Sequence, residues 1–233
     1  MREFTELPNA NNTILNMPLI HLQALSSESK LAVWRTEESF VDLAEILIGK
    51  GRRDLLPPDS FSNEKRRMEW LSTRCALLQM NNDEQENIFY NEKGKPYLLS
   101  GKGHISISHA WPFVCLFIQE SRSVGVDIER MTDRIFKIAP RFINEKEFEW
   151  LSAPLNIREL YLIWAAKEAV FKMKGGGGID FRLHLTVQRT ALQTGGIAKL
   201  IYSKNGAEEL LNIYYQFLDS MIVVYTIAND SSQ

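Results

Sequence analysis

Two acids stand one residue apart at the end of an apolar, β-branched run, Val124-Gly125-Val126-Asp127-Ile128-Glu129. Side chains two apart on a strand share a face, so Asp127 and Glu129 project together while Ile128 packs on the other side. Like charges this close raise each other's pKa unless a cation sits between them. A hard divalent ion relieves that repulsion, and Mg²⁺ suits one or two carboxylates together with waters and phosphate oxygens. The other reading is a strand emerging into solvent with both acids hydrated. The D-x-E pattern is short, and taken alone it favours this second reading.

Further along, Trp164-Ala165-Ala166-Lys167-Glu168-Ala169-Val170-Phe171-Lys172 reads as helix. Trp164, Glu168 and Lys172 are four apart and line one face. A third acid is therefore held on a rigid element beside a lysine. An ordinary surface Glu–Lys pair has the same spacing, but it leaves the apolar neighbours and the following Gly175–Gly178 run unexplained. The glycines are either a flexible linker or a backbone that passes close to a ligand. In HISISHA (104–110), Ser108 and His109 close a strand. A lone histidine there is either a hydrogen-bond partner or a functional base. Gly94-Lys95-Pro96 reads as a turn. Arg67 and Arg74 share a helix face, either solvated or able to fork onto phosphate oxygens.

These residues need elements to hold them. The stretch 27–47 has mixed helical periodicity and is expected to hold one or two helices. In 62–80, Ser62 suits an N-cap, and Met68, Leu71, Cys75 and Leu78 form a core stripe. The third helix, 158–174, runs unbroken into its glycines. Strand signals fall at 88–99, a hairpin around Glu92-Lys93-Gly94, and at 104–110, 112–119 and 123–129. The last quarter reads as an antiparallel meander, 181–188, 198–203, 212–219 and 221–228, with a turn at Leu218-Asp219-Ser220. Helices then strands, twice over, predict an α+β protein of two similar subdomains, with a seam between Gln119 and Ser123.

The chain has 233 residues, 45% hydrophobic and 24% charged, an ordinary globular balance. Its net charge of −2 argues against a general nucleic-acid binder. No apolar run reaches the length of a membrane span. Cys75 and Cys115 sit in apolar stretches and read as reduced core residues, and the start MREFTELPNANNT lacks the apolar core of a signal peptide. Together these point to the cytoplasm.

Taken in order, GKP, a strand ending in SHA, GVDIE, W-A-A-K-E-A-x-x-K and glycines resemble the Sfp-type 4′-phosphopantetheinyl transferases of the holo-acyl-carrier-protein synthase superfamily. The similarity is densest over 94–178 and loose over the first sixty residues. It implies two α/β halves joined as an intramolecular pseudo-dimer, residues 1–121 on the coenzyme A nucleotide side and 122–233 carrying the acids and the catalytic helix. It implies Mg²⁺-dependent transfer of the phosphopantetheine arm of coenzyme A to a serine of an apo carrier protein, releasing adenosine 3′,5′-bisphosphate. By match to the family motifs, Asp127, Glu129 and Glu168 would hold Mg²⁺, and Glu168 would also be the general base. Lys172 would contact the pyrophosphate as a catalytic and coenzyme-binding group. Arg74 and His109 would grip the 3′-phosphate, with Lys95, Pro96 and Ser108 beside the nucleotide.

The chain departs from the family in its short, glycine-dense link after Lys172. Lys65, Arg66 and Arg67 are equivalent candidates for a further phosphate contact. Carrier proteins are usually acidic, so Lys137, Arg141 and Phe142 are expected to form a docking patch unless they are a solvated helix face. The fused halves imply a monomer. Two alternatives keep the same residues: a Mg²⁺-dependent coenzyme A or nucleotide hydrolase, and a non-catalytic carrier-protein binding module.

Overall fold

The computed structural model describes residues 19–80 and 84–230, with side chains from Leu25 onward. Two antiparallel sheets divide the chain. The first has the order β1-β2-β6-β5, built from β1 (Leu19–Ser26), β2 (Ser29–Arg35), β5 (His104–Ala110) and β6 (Phe113–Gln119). The second has the order β7-β11-β10-β9-β8, built from β7 (Val124–Arg130), β8 (Leu185–Val187), β9 (Gly195–Lys204), β10 (Ala207–Leu218) and β11 (Met221–Ile227). The expected C-terminal meander is present as β8 to β11, with Leu218 opposite Met221 across the turn.

Each sheet carries a long helix. On the first lie α1 (Phe40–Gly49) and α2 (Glu64–Met80), whose stripe Met68, Leu71, Cys75 and Leu78 packs with Ala32, Trp34, Val114 and Leu116. On the second lies α5 (Ile157–Met173), packed on Leu211, Ile213, Ile222 and Val224. The short helices α3 (Arg134–Ile138) and α4 (Glu145–Phe148) precede it. Between the sheets runs a third apolar layer, in which Leu31, Val33, Cys115 and Phe117 meet Val124, Val126, Ile128, Met221 and Val223.

One sequence expectation is narrowed and another corrected. Of the one or two helices expected over 27–47 the structure has one. Ser29–Arg35 is strand, and the only helix there starts at Phe40, behind a Ser39–Asp42 capping box. The physical reason is burial on both faces. Leu31 and Val33 enter the inter-sheet layer while Ala32 and Trp34 enter the α2 core, giving an unbroken apolar run whose period cannot separate strand from helix. Nor does either half read helices then strands: among the described residues the first opens on a hairpin and the second on β7. The 88–99 hairpin is present, β3 (Ile88–Tyr90) pairing with β4 (Pro96–Leu98) as a separate two-stranded sheet.

Candidate active site

The face of β7 opposite the inter-sheet layer lies against α5. Gly125 makes the approach possible: a Cβ there would stand 1.8 Å from the Ala169 carbonyl oxygen. The alternation read from sequence holds. Ile128 packs between the sheets, while Asp127 and Glu129 face α5. That helix presents Trp164, Glu168 and Lys172 to them at successive turns.

Lys172 ties the cluster together. Its Nζ donates to Asp127 Oδ1 at 2.7 Å, to Ser108 Oγ at 2.8 Å and to the Val126 carbonyl at 3.1 Å. The Ser108 hydroxyl in turn donates to Asp127 Oδ1 at 2.8 Å. Asp127 is only 3% exposed, and burial drives its carboxyl upward against the pull of Lys172 and Ser108. Glu129 accepts from the Trp164 indole Nε1 at 2.7 Å; burial and then Asp127 raise it. Glu168 has no hydrogen bond or ion pair among the described residues, and burial followed by the Asp127 charge pushes it up to about 7. A carboxyl poised there suits proton transfer near neutral pH.

The carboxylates suit a divalent ion in chemistry but not in present arrangement. Asp127 Oδ2 is buried without a partner, and every donor is a hard oxygen, which fits Mg²⁺. Among the described residues, however, no group of three His, Cys, Asp or Glu side chains is already arranged to hold a metal. Lys172 occupies the other Asp127 oxygen. The acids influence one another electrostatically but are not a preformed cage.

A cleft of about 410 Å³ opens beside Lys172, lined by Tyr90, Lys95, Pro96, His109, Phe171 and Gly175 to Gly177, among others. Gly175 and Gly176 close α5 by donating to the Lys172 and Phe171 carbonyls, a Schellman ending, and both take positive φ. From the β3–β4 turn Lys95 reaches the same helix end, its Nζ donating to the Met173 carbonyl at 3.2 Å. Burial lowers Lys95. The Thr73 hydroxyl gives its proton to the Glu69 carbonyl, so it accepts from His109 Nε2 at 3.1 Å. Burial away from water, then the charges of Lys172 and Lys65, lowers His109 to about 4. Of the three basic candidates on α2, Lys65 is the one whose charge reaches this ring. Arg66 and Arg67 stack on Phe61 and Phe40.

The structure thus gathers Ser108, Asp127, Glu129, Glu168 and Lys172 into one cluster, with Lys95, Pro96 and His109 in the adjoining cleft. Arg74 is not with them; it is 1% exposed beneath Trp70. Phe142 cannot serve in a docking patch because it is 1% exposed and packs on the Trp164 ring at 5.1 Å. Phe136 and Phe148 are the exposed apolar side chains of that stretch, lining a groove of about 540 Å³. The motif lysine Lys167 has a structural role. Fully buried, it gives all three protons to Glu147 (2.7 Å) and to the carbonyls of Phe142 (2.7 Å) and Phe181 (2.9 Å). Sequence reading left Thr73 and Trp164 out of the site. Trp164 was marked by its spacing from Glu168, whereas Thr73 had no signal without the fold.

No helix among the described residues is long and apolar enough to cross a membrane. The chain is 30% identical over 143 residues to the 4′-phosphopantetheinyl transferase gsp of Aneurinibacillus migulanus, covering 59% of this chain and 57% of the relative. It is 31% identical over 117 residues to the 4′-phosphopantetheinyl transferase AcpT of Salmonella typhi, covering 48% and 60%. With the 4′-phosphopantetheinyl transferase Sfp of Bacillus subtilis (strain 168) the identity is 33% over 91 residues, covering 37% and 40%. The chain therefore spans about half the length of the curated relatives it matches. Residues 123–211, which carry both acids of β7 and the whole of α5, match the 4′-phosphopantetheinyl transferase superfamily.

Proposed function

We propose that the protein transfers the 4′-phosphopantetheine arm of coenzyme A to a serine hydroxyl of an apo carrier protein and releases adenosine 3′,5′-bisphosphate. The observation that carries this reading is the joining of a near-neutral glutamate, Glu168, to a lysine-bound aspartate, Asp127, at the mouth of a cleft lined by cations and glycines. Support also comes from the relatives, named as 4′-phosphopantetheinyl transferases. The pseudo-dimer reading draws support from two helix-covered sheets stacked through one apolar layer.

The carrier serine attacks the phosphorus that bears the pantetheine arm. A new ester bond forms, the pyrophosphate bond breaks, and the bisphosphate leaves with the bridging oxygen. Glu168 takes the serine proton. Lys172, already at the cluster, stabilises charge on the phosphoryl oxygens. Lys95, Pro96 and His109, which line the cleft, would flank the nucleotide together with Ser108, held by Lys172 at its edge, and Lys65 adds positive potential near His109. Mg²⁺, when bound by Asp127, Glu129 and Glu168, would supply Lewis-acid stabilisation of the pyrophosphate.

Incubation with coenzyme A, Mg²⁺ and an apo carrier, followed by mass spectrometry of the carrier, tests the reading. A carrier heavier by one phosphopantetheine is expected. Cleaved coenzyme A with an unmodified carrier would instead show hydrolysis, and binding of both without either change would show a non-catalytic module.

A further inference from the structure

Arg74 is the predicted phosphate-binding residue that the fold withholds from the cleft. Its guanidinium carbon stands 3.1 Å from the centroid of the Trp70 ring. Nη2 donates to the Ile88 carbonyl at 3.2 Å and Nη1 to the Trp70 carbonyl at 3.3 Å. Nε is buried without a partner, and among the described residues no carboxylate pairs with the charge. Tyr90 packs on the same indole, ring centroids 6.4 Å apart. Ile88 and Tyr90 are the two ends of β3, and Tyr90 pairs with Pro96 across the hairpin.

A two-stranded hairpin is at best marginally stable alone in water, so its placement depends on what it rests upon. The β3–β4 hairpin is hydrogen-bonded to neither large sheet. On one side it rests on α2 through Arg74 and Trp70. On the other, its turn sends Lys95 to the end of α5. The same hairpin supplies Tyr90, Lys93, Gly94, Lys95 and Pro96 to the cleft wall. Forking onto a phosphate would require the guanidinium to leave both its ring and its carbonyls.

We propose that Arg74 is a positioning residue: it pins the β3–β4 hairpin to α2, thereby setting where Lys95 and Pro96 stand in the cleft, and touches no part of the nucleotide. The inference rests on the coenzyme A reading for its ligand.

The test measures binding and turnover of coenzyme A and of 3′-dephospho-coenzyme A for the wild type, Arg74→Met, Arg74→Lys and Lys95→Ala. A positioning role predicts that Arg74→Met weakens both ligands by a common factor of about tenfold, the scale of one lost charge-assisted hydrogen bond. KM should rise more than kcat falls. Arg74→Lys, which lacks the planar fork, should share most of the defect. In a Lys95→Ala background Arg74→Met should add little, because the two act through one element. Amide exchange over 88–98 should accelerate in either Arg74 variant while α5 stays protected. Loss of affinity confined to coenzyme A, with the dephospho form bound as before, would show a direct phosphate contact and overturn the proposal. So would unchanged hairpin exchange in Arg74→Lys, the variant expected to keep the fold. Should the wild type bind neither ligand, the coenzyme A reading falls, and the exchange measurement still decides whether Arg74 pins the hairpin.

Discussion

Adding one methyl group at Gly125 should disable the site without touching any of its polar residues. A Cβ there would meet the Ala169 carbonyl oxygen at 1.8 Å, its carbon at 2.7 Å and the Met173 nitrogen at 2.9 Å. All three belong to the α5 backbone, so no side-chain rotation relieves the clash. Ordinary contact begins near 3.4 Å, so helix and strand must part locally by about 1.6 Å. That separation falls on the turns that carry Lys172 toward Asp127 and Trp164 toward Glu129, both now at 2.7 Å. Overpacking costs about 1–3 kcal/mol, and backbone against backbone puts Gly125→Ala at the upper end. A misplacement of about 1 Å at a reacting centre costs on the order of a hundredfold in rate. The expected outcome is therefore a loss of about 3 kcal/mol in urea denaturation and a fall of about a hundredfold in kcat. Gly49→Ala, at the end of α1 with nothing within 4 Å, is the control and should be neutral or slightly stabilising. Wild-type stability and turnover in Gly125→Ala would refute the claim that close β7–α5 packing sets the site.

Three further outcomes are expected. Lys167→Met leaves Glu147 as an uncompensated buried charge and should cost about 3–5 kcal/mol, part of which Glu147→Gln restores in the double variant, as read by chemical denaturation. Glu168→Gln should lower turnover at saturating substrate, because it removes the carboxylate that would take the serine proton. Because the folded value is raised above the ordinary 4.5, the stability Glu168 contributes is fully present below 4.5 and lost as pH rises through about 7. Glu168→Gln should therefore gain stability over the wild type at pH 8 and not at pH 4, with thermal denaturation as the assay. Trp164→Phe keeps an aromatic ring between Phe142 and Phe181 but removes the proton given to Glu129. Loss of a hydrogen bond to a charged group, about 1.5–3 kcal/mol, should appear in turnover, with far-UV circular dichroism little changed.

What the sequence disclosed and what it hid divide along physical lines. Asp127 and Glu129 were legible because strand period two leaves no choice of face, and Trp164, Glu168 and Lys172 because helix spacing of four leaves little. Both are local rules, and the fold obeys them. The β2 segment misled because an apolar strand buried between α2 and the second sheet has no polar side to mark its period. Arg74 misled for a different reason. Its helix face is fixed by spacing, but what covers that face is a hairpin more than ten residues on, and burial by a distant element leaves no local trace. Phe142 failed in the same way, hidden by Trp164.

The location of the site follows from how the two sheets end. β7 is an edge strand of the second sheet and β5 an edge strand of the first, yet they do not form a ladder together. Instead the outward N–H of Val126 donates to Ser106 Oγ at 3.0 Å, and the Val126 carbonyl accepts from Lys172 at 3.1 Å. Side chains satisfy the edge that another strand would otherwise have taken. A continuous sheet would fill this junction with backbone. With the ladder absent, Ser108 and Lys172 can reach Asp127 from the two sides of the junction, and the cleft opens beside them. The apolar layer between the sheets fixes the separation at which this works, because Val126 also packs there against Cys115 and Phe117. Positioning of the reactive side chains and packing of the two sheets are thus one problem, in which Val126 is held between the sheets by its side chain and in the site by its backbone.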